Sequence, residues 1–161
     1  MPPAEKHILE IDSAELAFGE RRILSGVYLL VETGGVTAVL GRNGCGKSCL
    51  MKILSGSLKA GFCSMRIDGK WHRRFTEKEI RYLPQHPEFA ADKSSLECVL
   101  QGNVTEENRW SIESEAKTMM TRLGIQDFTQ PAGQLSGGQR KRLALISALL
   151  SPADILLLDA V

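Results

Sequence analysis

The sequence predicts an α/β fold, on three observations. Short apolar runs at residues 36–40 and Ile155–Leu158, and a further short strand at Ile80–Leu83, are each closed by a turn-forming or acidic residue, the pattern of short core strands. Segments of helical character, Lys47–Leu54, 94–123 and 138–150, alternate with those runs. Ahead of both, Ile8–Phe18 and 23–31 are rich in β-branched, aromatic and aliphatic residues, and Gly19-Glu20 separates them.

Each element has a local reason. The first two strands read as an antiparallel hairpin around the Gly19-Glu20 turn. Residues 36–40, VTAVL, are uncharged throughout, as suits a strand covered on both faces. The helix Lys47–Leu54 ends near Gly56. Phe62–Ile67 is a strand closed by the turn Asp68-Gly69, and Ile80–Leu83 is one closed by Pro84. Leu96, Val99 and Leu100 form one apolar stripe; Met119, Met120 and Leu123 form another, with a looser stretch at Gly102-Asn103. A second helix runs over about 138–150, and Pro152 stops it. No repeat or low-complexity tract interrupts the order. One domain over 1–161 is expected, with a helical subdomain over 94–134 inside it.

A chain of 161 residues is long enough for one compact core. Its 20 basic and 19 acidic side chains leave a net charge of +1, so no general pull toward nucleic acid or anionic lipid exists. Any anion must be gripped locally. The most apolar stretch, 143–158, is broken by Ser147, Ser151, Pro152 and Asp154, and the N-terminus lacks the apolar core of a signal peptide. The sequence therefore reads as cytoplasmic. Cys45, Cys49, Cys63 and Cys98 show no metal or redox spacing and read as free thiols.

Gly41-Arg42-Asn43-Gly44-Cys45-Gly46-Lys47-Ser48 fits G-x-x-x-x-G-K-[ST], with Cys49 next in the helix. Glycines let successive amides point into one concavity, and the helix N-terminus adds partial positive charge. Lys47 supplies a full charge for the β- and γ-phosphates, and the Ser48 hydroxyl is a hard ligand for Mg²⁺. Cys45 sits inside the loop, so its alkylation is expected to block nucleotide binding; read more plainly, it is a small residue tolerated there. A second glycine motif, Leu135-Ser136-Gly137-Gly138-Gln139, precedes a helix carrying Arg140, Lys141 and Arg142. Ser136 can cap that helix, and the glycines let a ligand approach the backbone.

With LSGGQ and the phosphate loop together, the whole chain resembles the ATP-binding cassette family. The resemblance implies a P-loop NTPase core with a mainly parallel sheet, an N-terminal antiparallel β-subdomain and a helical insertion. It implies ATP and Mg²⁺ as cofactors. Phe18 stands where the family places an aromatic against adenine, although a lone strand Phe is more often core. Gln85 matches the glutamine that touches Mg²⁺ or the attacking water and senses the membrane subunits. Ile155–Leu158 followed by Asp159 looks like the Walker B strand, its carboxylate holding Mg²⁺ through water. Ser136, Gly137, Gly138 and Gln139 match the signature that caps the γ-phosphate held by a second cassette. The implied protein is the ATP-binding subunit of a transporter, an ATPase lying at the inner face of the membrane. Its partners would be transmembrane permease subunits and a second nucleotide-binding domain, with no nucleic acid.

The sequence also departs from that pattern. Ala160 stands where the family has the Glu that activates water, and Ser147 stands where an Arg is common. A complete cassette continues beyond the Walker B Asp with an Asp-bearing loop, further strands and helices, and a switch His. The sequence is therefore expected to lack the C-terminal part of the core. The strands at 36–40 and Ile155–Leu158 would then lack the strand that lies between them, leaving the backbone groups and apolar faces of both without partners, and the polypeptide alone should be poorly stable. Two other functions stay open: an ABC ATPase outside transport, and a nucleotide-binding module that does not hydrolyse.

Overall fold

The computed structural model describes residues 6–76, 78–151 and 153–159, and divides at Tyr82/Leu83 into two compact units.

In the first unit, strands β1 (Ile8–Phe18) and β2 (Arg21–Glu32) form the expected antiparallel hairpin around Gly19-Glu20. Strand β3 (Phe62–Ile67) pairs antiparallel with the other edge of β1, and a two-residue strand β4 (Lys70–Trp71) adds to β3, so the order is β2-β1-β3-β4. Period-two alternation sorts the faces. Leu9 and Ile11 stand opposite Ile67 and Met65, and Leu9 and Ile11 are essentially inaccessible. The other face is wet. There Glu10 accepts from Tyr28 and Arg66, and the Arg66 guanidinium lies 4.1 Å over the Trp71 ring. Helix α1 (Lys47–Leu54) adds Leu50, Ile53 and Leu54 to the buried set. β4 escapes sequence reading because two residues carry no periodicity; only the Asp68-Gly69 turn, with both residues at positive φ, announces it.

The run 36–40 is not a strand, contrary to the sequence expectation: Val36 is 100% and Leu40 89% exposed. The reason is pairing. Among the described residues no strand lies beside this run, and an extended apolar segment without a ladder neighbour keeps its amides in water.

Strand β5 (Ile80–Leu83) runs from the first unit into the second, where the carbonyl of its last residue, Leu83, accepts from the Asp159 amide at 2.9 Å. Asp159 directly follows β6 (Ile155–Leu158), so the C-terminal ends of β5 and β6 lie side by side. β6 is less covered than an all-apolar strand suggests, with Leu158 47% exposed. The helical stretch expected over 94–123, looser at Gly102-Asn103, is two helices, α2 (Ser95–Leu100) and α3 (Ile112–Arg122), and the break includes that looser stretch, where Gly102 takes φ 78°. Helix α4 (Gly137–Leu150) lies against both. Val99, Ala116, Met120, Ile125, Leu143 and Ile146 make the core of this unit, with Leu96, Leu100, Met119 and Leu123 packed around it. Pro152, expected to stop α4, and Ala160 lie outside the described residues.

Candidate functional site

The predicted site residues fall into two groups, one in each unit. In the first unit, residues 41–46 form an irregular loop that opens α1, exposed over 41–45 and buried at Gly46. Gly46 is the N-cap of that helix at φ 101°, a left-handed conformation that L side chains rarely adopt. A Cβ there would also come within 2.7 Å of Leu24 Cδ2, so glycine is required on both conformational and steric grounds. Gly41 is held by contact instead: a Cβ would meet the Cys45 Sγ at 2.7 Å. The α1 N-cap makes no side-chain cap hydrogen bond. The first-turn amides of Lys47, Ser48 and Cys49 therefore make an electropositive helix end that no side chain of the cap covers.

Lys47 is the charged element of this loop. Its Nζ donates to the carbonyls of Gly41 at 2.8 Å and Arg42 at 2.9 Å, and lies 3.8 Å from the Cys45 Sγ. The ammonium is thus folded over the loop's own oxygens. These are weak acceptors compared with phosphate oxygens, for which they can be exchanged. Asn43 and Gly44 form the exposed turn of the loop, and Cys45 is exposed. Phe18 ends β1 at the hairpin turn, 54% exposed, so it does not belong to the core. The loop matches its expected form at the helix but not at the approach, because no strand precedes it.

The second unit carries the other group. Ser136 caps α4 by accepting from the Gln139 amide at 3.2 Å, while Gln139 Oε1 accepts from the Ser136 amide at 2.8 Å. This reciprocal capping box spends both polar side chains of the signature on starting the helix. Gly137 and Gly138 remain open: a Cβ on either would meet nothing within 4 Å. Gln85 and Asp159 line a single cavity of about 240 Å³ with Lys141, Arg142 and apolar walls that include Leu145 and Leu158. Asp159 is only 8% exposed. Lys141 and Arg142 were visible in the sequence only as part of a basic triplet. What places them beside Gln85 and Asp159 is the turn of α4 and the end of β6, which no local pattern encodes.

A glycine-rich loop feeding a bare helix N-terminus, with a lysine at its first helical position, is the build of a phosphate-loop nucleotide-binding α/β protein. The ABC transporter family model matches residues 24–160, and the chain belongs to that family. It is similar to an uncharacterized ABC transporter ATP-binding protein, YfmR, of Bacillus subtilis (strain 168), at 25% identity over 190 residues, covering 94% of this chain and 29% of that protein. It is similar too to the aliphatic sulfonates import ATP-binding protein SsuB 1 of Paraburkholderia xenovorans (strain LB400), 36% identical over 148 residues, covering 88% of this chain and 40% of that protein. The chain therefore spans less than half the length of these curated relatives. Among solved structures, a nucleotide-free ATP-binding cassette from an ABC transporter superposes with a TM-score of 0.75 at 26% identity, covering 94% of this chain and 68% of that one.

Proposed function

We propose that this chain binds Mg-ATP through the loop from Gly41 to Ser48 and serves as the ATP-binding subunit of an ABC transporter. The observation that carries the reading is the start of α1, an electropositive helix end that no cap side chain covers, with the Lys47 ammonium folded onto the carbonyls of the loop that opens it. The donor set fits the group. Main-chain amides and Lys47 would hold the triphosphate, Phe18 would lie against the adenine, and Ser48 would offer Mg²⁺ a hydroxyl oxygen; Gln85 and Asp159 are the oxygen donors that the family resemblance assigns to the metal from the second unit. When bound, the nucleotide supplies the phosphoryl group whose transfer to water releases free energy. Arg42, Asn43, Gly44 and Cys45 shape the concavity from their exposed turn.

The open faces of Gly137 and Gly138 support a role for Ser136–Gln139 in meeting a phosphate held by a second cassette. In that arrangement two copies pair head to tail, and closure of the pair drives transmembrane permease subunits. A relative named for import supports the transport role. Among the described residues no helix is long and apolar enough to cross a membrane, so a membrane role would run through such partners. The competing reading, a module that binds but does not hydrolyse, rests on Ala160, which cannot accept a hydrogen bond from an attacking water.

Titration calorimetry of Mg-ATP on the full chain tests the site. Lys47→Ala should abolish measurable binding, because the charge on the phosphates is lost. Equal affinity in the two proteins would overturn the assignment. Parallel turnover assays then separate the readings: binding with turnover supports the ATPase, and binding without it supports the non-hydrolysing module.

A further inference from the structure

The first unit holds a second cavity, remote from the phosphate loop. It has a volume of about 440 Å³ and lies between the C-terminal turn of α1, the loop 56–61, β3 and residues 73–75. The length of α1, eight residues, sets it roughly 12 Å from the loop that opens the helix. Its volume falls within the range of small-molecule sites, roughly 300–1,000 Å³. Ile53, Met65 and Phe75 are all buried beneath it, at 4%, 9% and 5% exposure. Lys59, Arg73 and Arg74 also line it, and all three are exposed. Among the described lining residues there is no carboxylate.

The ordinary explanation for cations at this place is neutralisation of the helix C-terminus. The hydrogen bonds argue otherwise. The terminal carbonyls of Met51, Lys52 and Ile53 already accept from the amides of Ser55, Leu58 and Gly56 at 2.9, 3.0 and 3.0 Å. The Ser55 hydroxyl adds a second donor to Lys52 at 3.1 Å. No described carboxylate pairs with Lys59, Arg73 or Arg74 either. Arg74 packs its stem against Gly56, where a Cβ would come within 3.0 Å of its Nε, so the base of this side chain is placed at the cavity. Three cations that no carboxylate among the described residues pairs with therefore stand over an apolar floor.

We propose that this cavity binds a small amphipathic organic anion, with its apolar body on Ile53, Met65 and Phe75 and its acid group among Lys59, Arg73 and Arg74. The site is distinct from the nucleotide site, since none of its lining residues belongs to the loop 41–48.

The test uses the full chain and naphthalene-2-sulfonate as probe, with naphthalene-2-methanol as its neutral counterpart, each followed by titration calorimetry. Saturable one-site binding of the sulfonate is expected, with the alcohol much weaker. Replacing Arg73→Ala and Arg74→Ala together should weaken the sulfonate roughly fivefold to tenfold, as the loss of two exposed charge contacts dictates. Arg73→Lys with Arg74→Lys should restore most of it. Saturating Mg-ATP should leave the sulfonate affinity unchanged. Equal binding of alcohol and sulfonate, indifference to the arginine-to-alanine pair, or displacement by ATP would each overturn the proposal.

Discussion

Gly46 and Asn103 show how much one residue can decide. At Gly46, φ 101° and the 2.7 Å approach to Leu24 act together, so Gly46→Ala should cost about 1–3 kcal/mol and distort the loop that opens α1. Chemical denaturation and ATP titration should both register it; a variant with unchanged stability would show that the loop relaxes freely. Asn103 is 1% exposed, and its Nδ2 reaches the Val99 carbonyl at 2.6 Å, the Ser147 carbonyl at 2.9 Å and the Ser147 hydroxyl at 3.0 Å. It thereby ties the end of α2 to α4. Asn103→Leu fills similar volume but strands those buried acceptors, so a loss of about 1–3 kcal/mol in urea unfolding is expected. This contact also explains why a small residue serves at position 147, where an Arg is common in the family: a hydroxyl there accepts from Asn103. Nothing local in the sequence announced this pair, because 44 residues separate its members.

At the scale of elements, capping and turn chemistry were the legible features. Ser94 and Ser136 each start a helix with a complete capping box, and the S-x-x-E and S-x-x-Q spacings stand plainly in the sequence. The hairpin, α1, β3, β5 and β6 likewise follow from their own residues. The same reading failed at residues 36–40, where composition says strand but pairing decides. Of the candidate site, the phosphate loop is local and was legible; the cavity joining Gln85 and Asp159 to α4 depends on tertiary placement and was not. The caps also set a pH response. The Ser94 hydroxyl, followed by its amide, holds Glu97 below the usual 4.5, and the Thr129 hydroxyl, followed by its amide, holds Asp127 below 3.8. The Thr76 amide does the same for Glu79, and the bond from His7 does so for Asp68. Folded values lie below unfolded ones, so these groups contribute stability that is complete above the unfolded values and drains as pH falls through the folded ones. Stability should be flat with pH above about 5 with respect to these groups and fall on further acidification. Glu97→Gln should flatten part of that fall; an unchanged acid limb would remove the cap from the account. Ser136→Ala, by the same logic, should cost about 1 kcal/mol in the second unit at neutral pH.

At the scale of the whole molecule, the consequence of residues 36–40 is colloidal. A five-residue uncharged run of high β-propensity, VTAVL, carries Val36 and Leu40 almost fully in water and has no ladder partner among the described strands. Its amides and carbonyls can be paired by the same run of another copy, and its apolar surface favours that association. A net charge of +1 provides little repulsion to oppose it. The 161-residue polypeptide should therefore scatter light increasingly with concentration. Val36→Lys lies outside the phosphate loop and puts a charge on the run, so it should suppress the scattering while leaving the secondary structure seen by circular dichroism intact. If the unsubstituted chain were a monomer at high concentration, the exposed run would have to be covered by other residues of this chain, and the pairing argument for its missing strand would fail with it.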